Sequence, residues 1–376
     1  MRLTDLDHSR LREALVRAFD SVGMSDPNPR VGCVILDALG QTFGSGATQH
    51  AGGPHAEIVA LRAARAAGHD PRGTTAYVSL EPCAHHGRTP PCCDALIEAG
   101  VARVVVATVD PNPLVSGQGI ARLRAAGITV DLAEGDIARE SRELNIGFFS
   151  RMQRGRPWVR LKIAASLDGR TALNNGASQW ITGEAARRDG HAWRQRASAL
   201  LTGIGTVLED NPRLDVRLVP TPRQPLRVIV DSRLQTPAAA RILDAPGEVL
   251  VYFAAGDALR EEALRQRGAL LVPMVADHGK VDLAAMLADL AQRGINELHV
   301  EAGHKLNASL LREGLVDELL VYLAPKLLGI GREMAAFGPL STLAEALDFE
   351  FTQVERIGDD LRILARPPGR ARFLDN

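Results

Sequence analysis

His55 and Glu57, two residues apart, are followed by Cys83 and then by Cys92. One imidazole and two thiolates supply three positions of a tetrahedral zinc site and leave the fourth for water. Zinc makes hydroxide available near neutral pH. Glu57 reads as a proton carrier rather than a ligand: it can take a proton from the water and pass one to departing ammonia. A His-x-Glu followed by Pro-Cys and a further Cys is the pattern of zinc-dependent base deaminases, so the chemistry these residues imply is hydrolytic removal of an amino group from a pyrimidine-type ring.

Each residue also has an ordinary explanation. A histidine at a helix start is commonly a surface or capping residue, and two cysteines in a reducing compartment can be plain packing. His85 or His86 could close the site as a fourth, structural ligand. The cysteines are separated by eight residues, Ala84 to Pro91, instead of two, and Cys93 competes with Cys92. The conjunction of H-x-E, Pro-Cys and a second Cys favours a catalytic site. Cys33 lies in an apolar run and reads as core.

The surrounding pattern can position these groups. Leu11, Leu15, Ala18, Phe19 and Val22 recur at helical spacing, and Val31–Leu36 reads as a buried strand. Helices near 55–67, 92–99 and 120–126 then alternate with strands near 76–80, 104–108 and 128–132. That alternation implies a mostly parallel sheet covered by helices on both faces. It puts His55 and Cys92 at helix starts, where a thiolate is favoured, and Cys83 beyond the C-terminal end of a strand.

A charged connection over 135–157 precedes a second alternating pattern, with strands near 158–163, 226–230, 249–253, 270–272, 298–300 and 319–323. We place the boundary near residue 150, giving domains 1–150 and 151–376. With 45% apolar and 24% charged residues, each half can bury its own core. The second half has no G-x-G-x-x-G after a strand, so a Rossmann dinucleotide site is not supported. Gly203-Ile204-Gly205-Thr206 and the run from Val300 to Ser309 each make a strand–glycine–helix transition, where backbone N–H groups can meet a phosphate; a glycine there is more often a simple turn. Arg194 and Arg217 could clamp a phosphate, or be ordinary surface charges. Lys162 and Asp210 are polar residues beside apolar strands that could orient substrate or cofactor. Trp180 is as easily core as site.

The motifs Asn28-Pro29-Arg30-Val31-Gly32-Cys33-Val34, Gly53-Pro54-His55-Ala56-Glu57 and Leu80-Glu81-Pro82-Cys83-Ala84-His85-His86-Gly87-Arg88-Thr89-Pro90-Pro91-Cys92 closely resemble the bifunctional riboflavin-biosynthesis deaminase/reductase family. So do Lys162 to Arg170, Ser178-Gln179-Trp180-Ile181-Thr182 and Val300-Glu301-Ala302-Gly303, and the long insert between the cysteines belongs to that family. The resemblance implies a cytidine-deaminase-like α/β/α domain followed by a dihydrofolate-reductase-like α/β domain. It implies deamination of 2,5-diamino-6-ribosylamino-4(3H)-pyrimidinone 5′-phosphate, then NADPH-dependent reduction of the ribosyl to the ribityl side chain. His55, Cys83 and Cys92 would hold one Zn2+, Glu57 would move protons, and Asn28 and His50 would lie near the deaminase substrate. In the second domain Ser178, Arg194, Leu214, Arg217, Glu301 and Lys162 would meet substrate. Ala164, Trp180, Thr206, Asp210, Ser232, Gly303, His304, Lys305, Leu306, Asn307, Ala308 and Ser309 would meet NADPH.

Two rivals need different features. A nucleic-acid deaminase expects a basic stripe or stacking aromatics, whereas net charge is −1 and aromatics are 4%. A zinc-stabilised scaffold would use four protein ligands and would not need Glu57. The absence of an apolar signal or of a run of about 18 apolar residues, and cysteines confined to the first quarter, lead us to expect a cytoplasmic enzyme of small phosphorylated pyrimidines. No nucleic-acid or membrane partner is expected, and a homo-oligomer is left open.

Overall fold

In the first unit, Leu11, Ala14, Leu15 and Ala18 form the buried stripe of α1 (Asp5–Ala18), whose start is capped by the Thr4 hydroxyl accepting from the Asp7 N–H. After it come β1 (Gly32–Leu36), β2 (Thr42–Ala47), α2 (Ala56–Ala66), β3 (Thr75–Val78), α3 (Cys92–Glu98), β4 (Arg103–Val106), α4 (Gln118–Ala125), β5 (Thr129–Leu132), α5 (Asp136–Leu144) and α6 (Ile146–Arg154). These elements belong to a computed structural model that describes residues 3–375 apart from 38 and 88. Arg88 of the cysteine motif therefore lies outside the described residues.

The five strands form one sheet in the order β2-β1-β3-β4-β5. It is mixed, where the alternation suggested a mostly parallel one: β3, β4 and β5 run parallel, and β1 is antiparallel to both β2 and β3. The reason is β2, which the sequence reading did not find. Its run Thr-Phe-Gly-Ser-Gly-Ala looks like a loop. The glycines are there because α2 lies directly on them: a Cβ at Gly44 would stand 2.4 Å from the Ala60 carbonyl, and one at Gly46 would stand 2.5 Å from the Val59 Cβ. On the opposite face Val34, Leu36, Tyr77 and Val105 pack with Leu11 and Leu15 of α1 and with Ile137 and Leu144 of α5. The helix that carries the candidate chemistry is thus seated against bare backbone.

The expected boundary at 150 falls inside α6, whose Ile146, Phe148 and Phe149 are buried and which ends at left-handed Gly155. The chain divides into Met1–Gly155 with Ala371–Asn376, and Arg156–Arg370. The C-terminal segment joins the first unit, whereas the sequence reading gave it to the second: Leu374 is buried, its carbonyl accepts from Arg142, and the Arg154 guanidinium lies 5.0 Å from the Phe373 ring centre.

The second unit contains β6 (Trp158–Ser166), β7 (Arg170–Leu173), α7 (Glu184–Arg196), β8 (Ala199–Gly203), α8 (Ile204–Asp210), β9 (Leu226–Val230), α9 (Arg241–Asp244), β10 (Val249–Phe253), α10 (Ala258–Gln266), β11 (Leu270–Pro273), α11 (Leu283–Gln292), β12 (Glu297–Val300), α12 (His304–Arg312), β13 (Glu318–Ala324), β14 (Gly331–Glu333), β15 (Glu350–Ile357) and β16 (Asp360–Arg366). Nine strands form one sheet in the order β11-β10-β9-β8-β12-β6-β13-β16-β15. Its pairs are parallel from β11 to β13 and antiparallel from β13 onward. The hairpin β15–β16 was not anticipated; most of β15 is exposed, so it lacks the apolar run that marks a buried strand.

β6 carries polar residues between its apolar ones because one face of the sheet bears a charged layer. Arg160, 2% exposed, lies between Glu297 and Glu318 and 4.3 Å below the Trp193 ring of α7. Val159, Leu161 and Ile163 face the apolar core on the other side. One pleat further along, Lys162 carries the charged layer to the end of the sheet where the strands stop.

Candidate metal centre and reductase pocket

His55 is the N-cap of α2, with extended backbone (φ −76°, ψ 167°) and a side chain free of capping duty. Cys92 is the first residue of α3, after Pro91, and Cys83 lies in the loop after β3. The His55 Nδ1 is 3.6 Å from Cys83 Sγ and 3.3 Å from Cys92 Sγ. The Cys92 backbone N–H donates to Cys83 Sγ at 3.3 Å. The three donor atoms lie within 4.8 Å of one another, and they are the one such His/Cys/carboxylate group among the described residues.

Electrostatics divide the two sulfurs. Cys83 is brought down to about 4, chiefly by hydrogen bonding from Cys92, while the same contact and burial drive Cys92 up. One ready thiolate, one thiol and an imidazole around a shared centre is the donor set a tetrahedral zinc needs. Glu57, in the first turn of α2, is 3% exposed; burial, then the Cys83 charge, push its carboxyl up to about 7. It stands outside the three-donor group, as a proton carrier should.

The neighbours sort themselves. Cys93 faces away, its Sγ donating to the Pro82 carbonyl at 3.2 Å and the Gly119 carbonyl at 3.5 Å. His85 and His86 are exposed and do not join the donor group among the described residues. Cys33 is fully buried in β1. His50 is exposed and lies against Gly53, whose Cβ would be 3.2 Å from its ring; Asn28 sits in a turn closed on Ser25. No hydrogen bond among the described residues joins either side chain to the donor group. Asp110, which the sequence reading missed, is 6% exposed and is pushed up to about 7 by burial and then by the Glu81 and Cys83 charges. Its signal was available: it lies in the loop after β4, in Val109-Asp110-Pro111.

In the second unit a cavity of about 1040 Å³ opens where β8, β9 and β12 end. Lys162, Ala164, Ser178, Trp180, Thr206, Asp210, Ser232, Glu301, Gly303, His304, Lys305, Leu306, Asn307 and Ser309 all line it. Ala308 is fully buried behind the lining. Trp180 is 61% exposed, with the Arg187 guanidinium 4.6 Å over its ring, so it is no core residue. The volume, the helix α12 with Gly303 as its N-cap and the orphaned buried Asn307 Oδ1 fit an extended ligand with phosphate and amide groups.

Arg194, Leu214 and Arg217 do not line the cavity. Arg194 instead forms a fork on Glu301, at 2.5 and 2.9 Å, and also donates to the Asp215 carbonyl. Arg217 pairs with Asp215, and Leu214 is buried. Glu301 further receives Lys162 at 3.5 Å and faces His299 Nε2 at 3.4 Å. Despite burial, Arg194 and then Lys162 hold the Glu301 carboxyl well below its ordinary value.

Comparison with known proteins agrees with both geometries. Residues 6–108 match the family model described as the cytidine and deoxycytidylate deaminase zinc-binding region, and residues 157–363 match the RibD C-terminal domain. The riboflavin biosynthesis protein RibD of Escherichia coli K12 is 47% identical over 349 residues, covering 89% of this chain and 92% of that protein. A solved structure of RibD from Acinetobacter baumannii has a TM-score of 0.87 at 41% identity, over 96% of this chain and 99% of that one. The diaminohydroxyphosphoribosylaminopyrimidine deaminase/5-amino-6-(5-phosphoribosylamino)uracil reductase of Thermotoga maritima has a TM-score of 0.85 at 33% identity, over the same shares. The chain therefore belongs to the RibD family and is a bifunctional deaminase and reductase of riboflavin biosynthesis.

Proposed function

We propose that the first unit deaminates 2,5-diamino-6-ribosylamino-4(3H)-pyrimidinone 5′-phosphate at one zinc held by His55, Cys83 and Cys92. The second unit then uses NADPH to give 5-amino-6-(5-phosphoribitylamino)uracil. The observation that carries the first step is the three-donor cluster with a buried carboxyl, Glu57, beside it and outside it. Bound zinc supplies hydroxide near neutral pH. Glu57 holds its proton near neutrality because burial disfavours its charge, so it can both accept a proton and return one to the departing nitrogen. Asn28 and His50 approach the pyrimidine from loops flanking the site.

In the second unit NADPH supplies the hydride. Ala164, Trp180, Thr206, Asp210, Ser232 and Gly303 to Ser309 hold the cofactor, with Ala308 acting from behind. Lys162, Ser178 and Glu301 face the sugar. Glu301, kept anionic by Arg194, helps to open the ribose ring by orienting Lys162. Arg194 enters this reading through Glu301; Arg217, which pairs with Asp215, and Leu214 are substrate contacts from outside the cavity lining. A cytoplasmic setting suits four free cysteines; among the described residues no helix is long and apolar enough to cross a membrane.

The test supplies the diaminopyrimidine with NADPH and follows ammonia and NADPH separately. Ammonia released first, then one NADPH oxidised per ribityl product, is the expected result. Oxidation that precedes ammonia release, or deamination that stops without a second step, overturns the sequence of reactions.

A further inference from the structure

Glu81 belongs to the Glu-Pro-Cys motif, yet the chemistry above gives it no task. Its side chain is 3% exposed, and among the described residues no ion pair balances it. Four backbone N–H groups do so instead. Asp110 and Gly117 donate to Oε2 at 3.2 and 2.9 Å, and Gly119 and Ile120 donate to Oε1 at 2.9 and 3.1 Å. A buried carboxylate without such donors is strongly disfavoured. The donors come from the loop after β4 and from the first turn of α4, whose dipole also favours an anion.

The next two residues are fastened chiefly by Cys93 of α3. The Pro82 carbonyl accepts from Cys93 Sγ and lies so close to α4 that a Cβ at Gly119 would stand 2.0 Å from it. The Cys83 carbonyl accepts from the Cys93 N–H at 3.2 Å. The turn bearing the Cys83 sulfur is thus held to the 110–120 segment through Glu81 and the Gly119 contact at Pro82, and to α3 through Cys93, and Glu81 makes the largest share of the bonds.

We propose that Glu81 is a positioning residue of the metal centre: its carboxylate clamps the 110–120 segment onto the Glu81-Pro82-Cys83 turn and so sets the Cys83 sulfur where it can share an ion with His55 and Cys92. This rests on the zinc reading of the donor cluster. An amide cannot replace the carboxylate, because its NH2 group would point a donor at backbone donors. Residues that orient a metal's ligands typically change affinity about 10- to 100-fold when altered.

The test measures zinc release from the full-length protein to a chromogenic chelator. Glu81→Gln should release zinc about 10- to 100-fold faster, with NADPH oxidation unchanged as the internal check. Val105→Ala, a cavity on the other face of the sheet, lowers the stability of the same unit and should release zinc at the wild-type rate. Equal release from Glu81→Gln and wild type, or from both variants alike, overturns the clamp. A second measurement needs no variant. By reciprocity, the amides of Asp110, Gly117, Gly119 and Ile120 should exchange with solvent faster once zinc is chelated from the wild type; unchanged exchange also overturns it. A wild type that carries no zinc would instead refute the metal reading itself.

Discussion

The metal centre and the reductase pocket are built in opposite ways. The first gathers three donor atoms and one carboxyl from residues 55 to 92, each at the start of a helix or just after a strand. The second spreads its lining from Lys162 to Arg332 over the ends of several parallel strands. A metal needs a few ligand types at short range, so its residues can hardly be substituted and leave a dense local motif. A long cofactor is bound by shape and backbone, so glycines, a serine or an alanine serve, and their identities say little one by one. The difference also shows in charge. Burial, then the Cys83 charge, push the Glu57 carboxyl up to about 7, whereas Glu301, partly buried, is kept ionised by Arg194 and Lys162.

That contrast can be attacked from either side. The largest effect is expected from Glu57→Gln, which removes the proton carrier but no ligand. Ammonia release should fall about a thousand-fold with zinc content unchanged, while reduction of the supplied deaminated intermediate proceeds normally. A variant that keeps its ammonia release would remove Glu57 from the chemistry. Next comes Glu301→Gln. The charged hydrogen bonds from Arg194 are worth about 1.5–3 kcal/mol, so NADPH oxidation should drop roughly 10- to 100-fold, and ammonia release should stay intact. If reduction were unaffected, the Arg194–Glu301–Lys162 set would be merely structural.

The smallest effect concerns the division itself. Leu374→Ala, near the far end of the chain, should destabilise the deaminase unit by roughly 2 kcal/mol, the low end for a buried leucine. The readout is thermal loss of ammonia release; loss of the reductase transition instead would place the tail with the wrong unit.

How much of this was legible follows from the same physics. The helices over α1, α2 and α3 and the strands β1, β3, β4 and β5 stand close to where periodicity puts them, because each buries a regular apolar face. β2 was hidden by Gly44 and Gly46, whose presence only α2 explains. The β15–β16 hairpin was hidden by exposure, and the return of Leu374 to the first unit is a long-range contact with no local signature. His55, Glu57, Cys83 and Cys92 could be argued from residue chemistry and spacing. The cavity residues could be assembled only through family likeness, which also named Arg194, Leu214 and Arg217 as substrate contacts although none lines the cavity. Asp110 was overlooked because a lone carboxylate near a strand end is common, and only the fold brings it beside a ligand loop; Glu81 stood in the motif, but only the fold shows the four N–H groups that hold it.

The most direct test of two separate centres is a chelator titration of the full-length enzyme, with zinc release, ammonia release and NADPH oxidation followed together. The account predicts that ammonia release declines in proportion to the zinc removed, while NADPH oxidation of the supplied deaminated intermediate stays level. Ammonia release that survives in zinc-free protein, or two activities that fall in step, would contradict it.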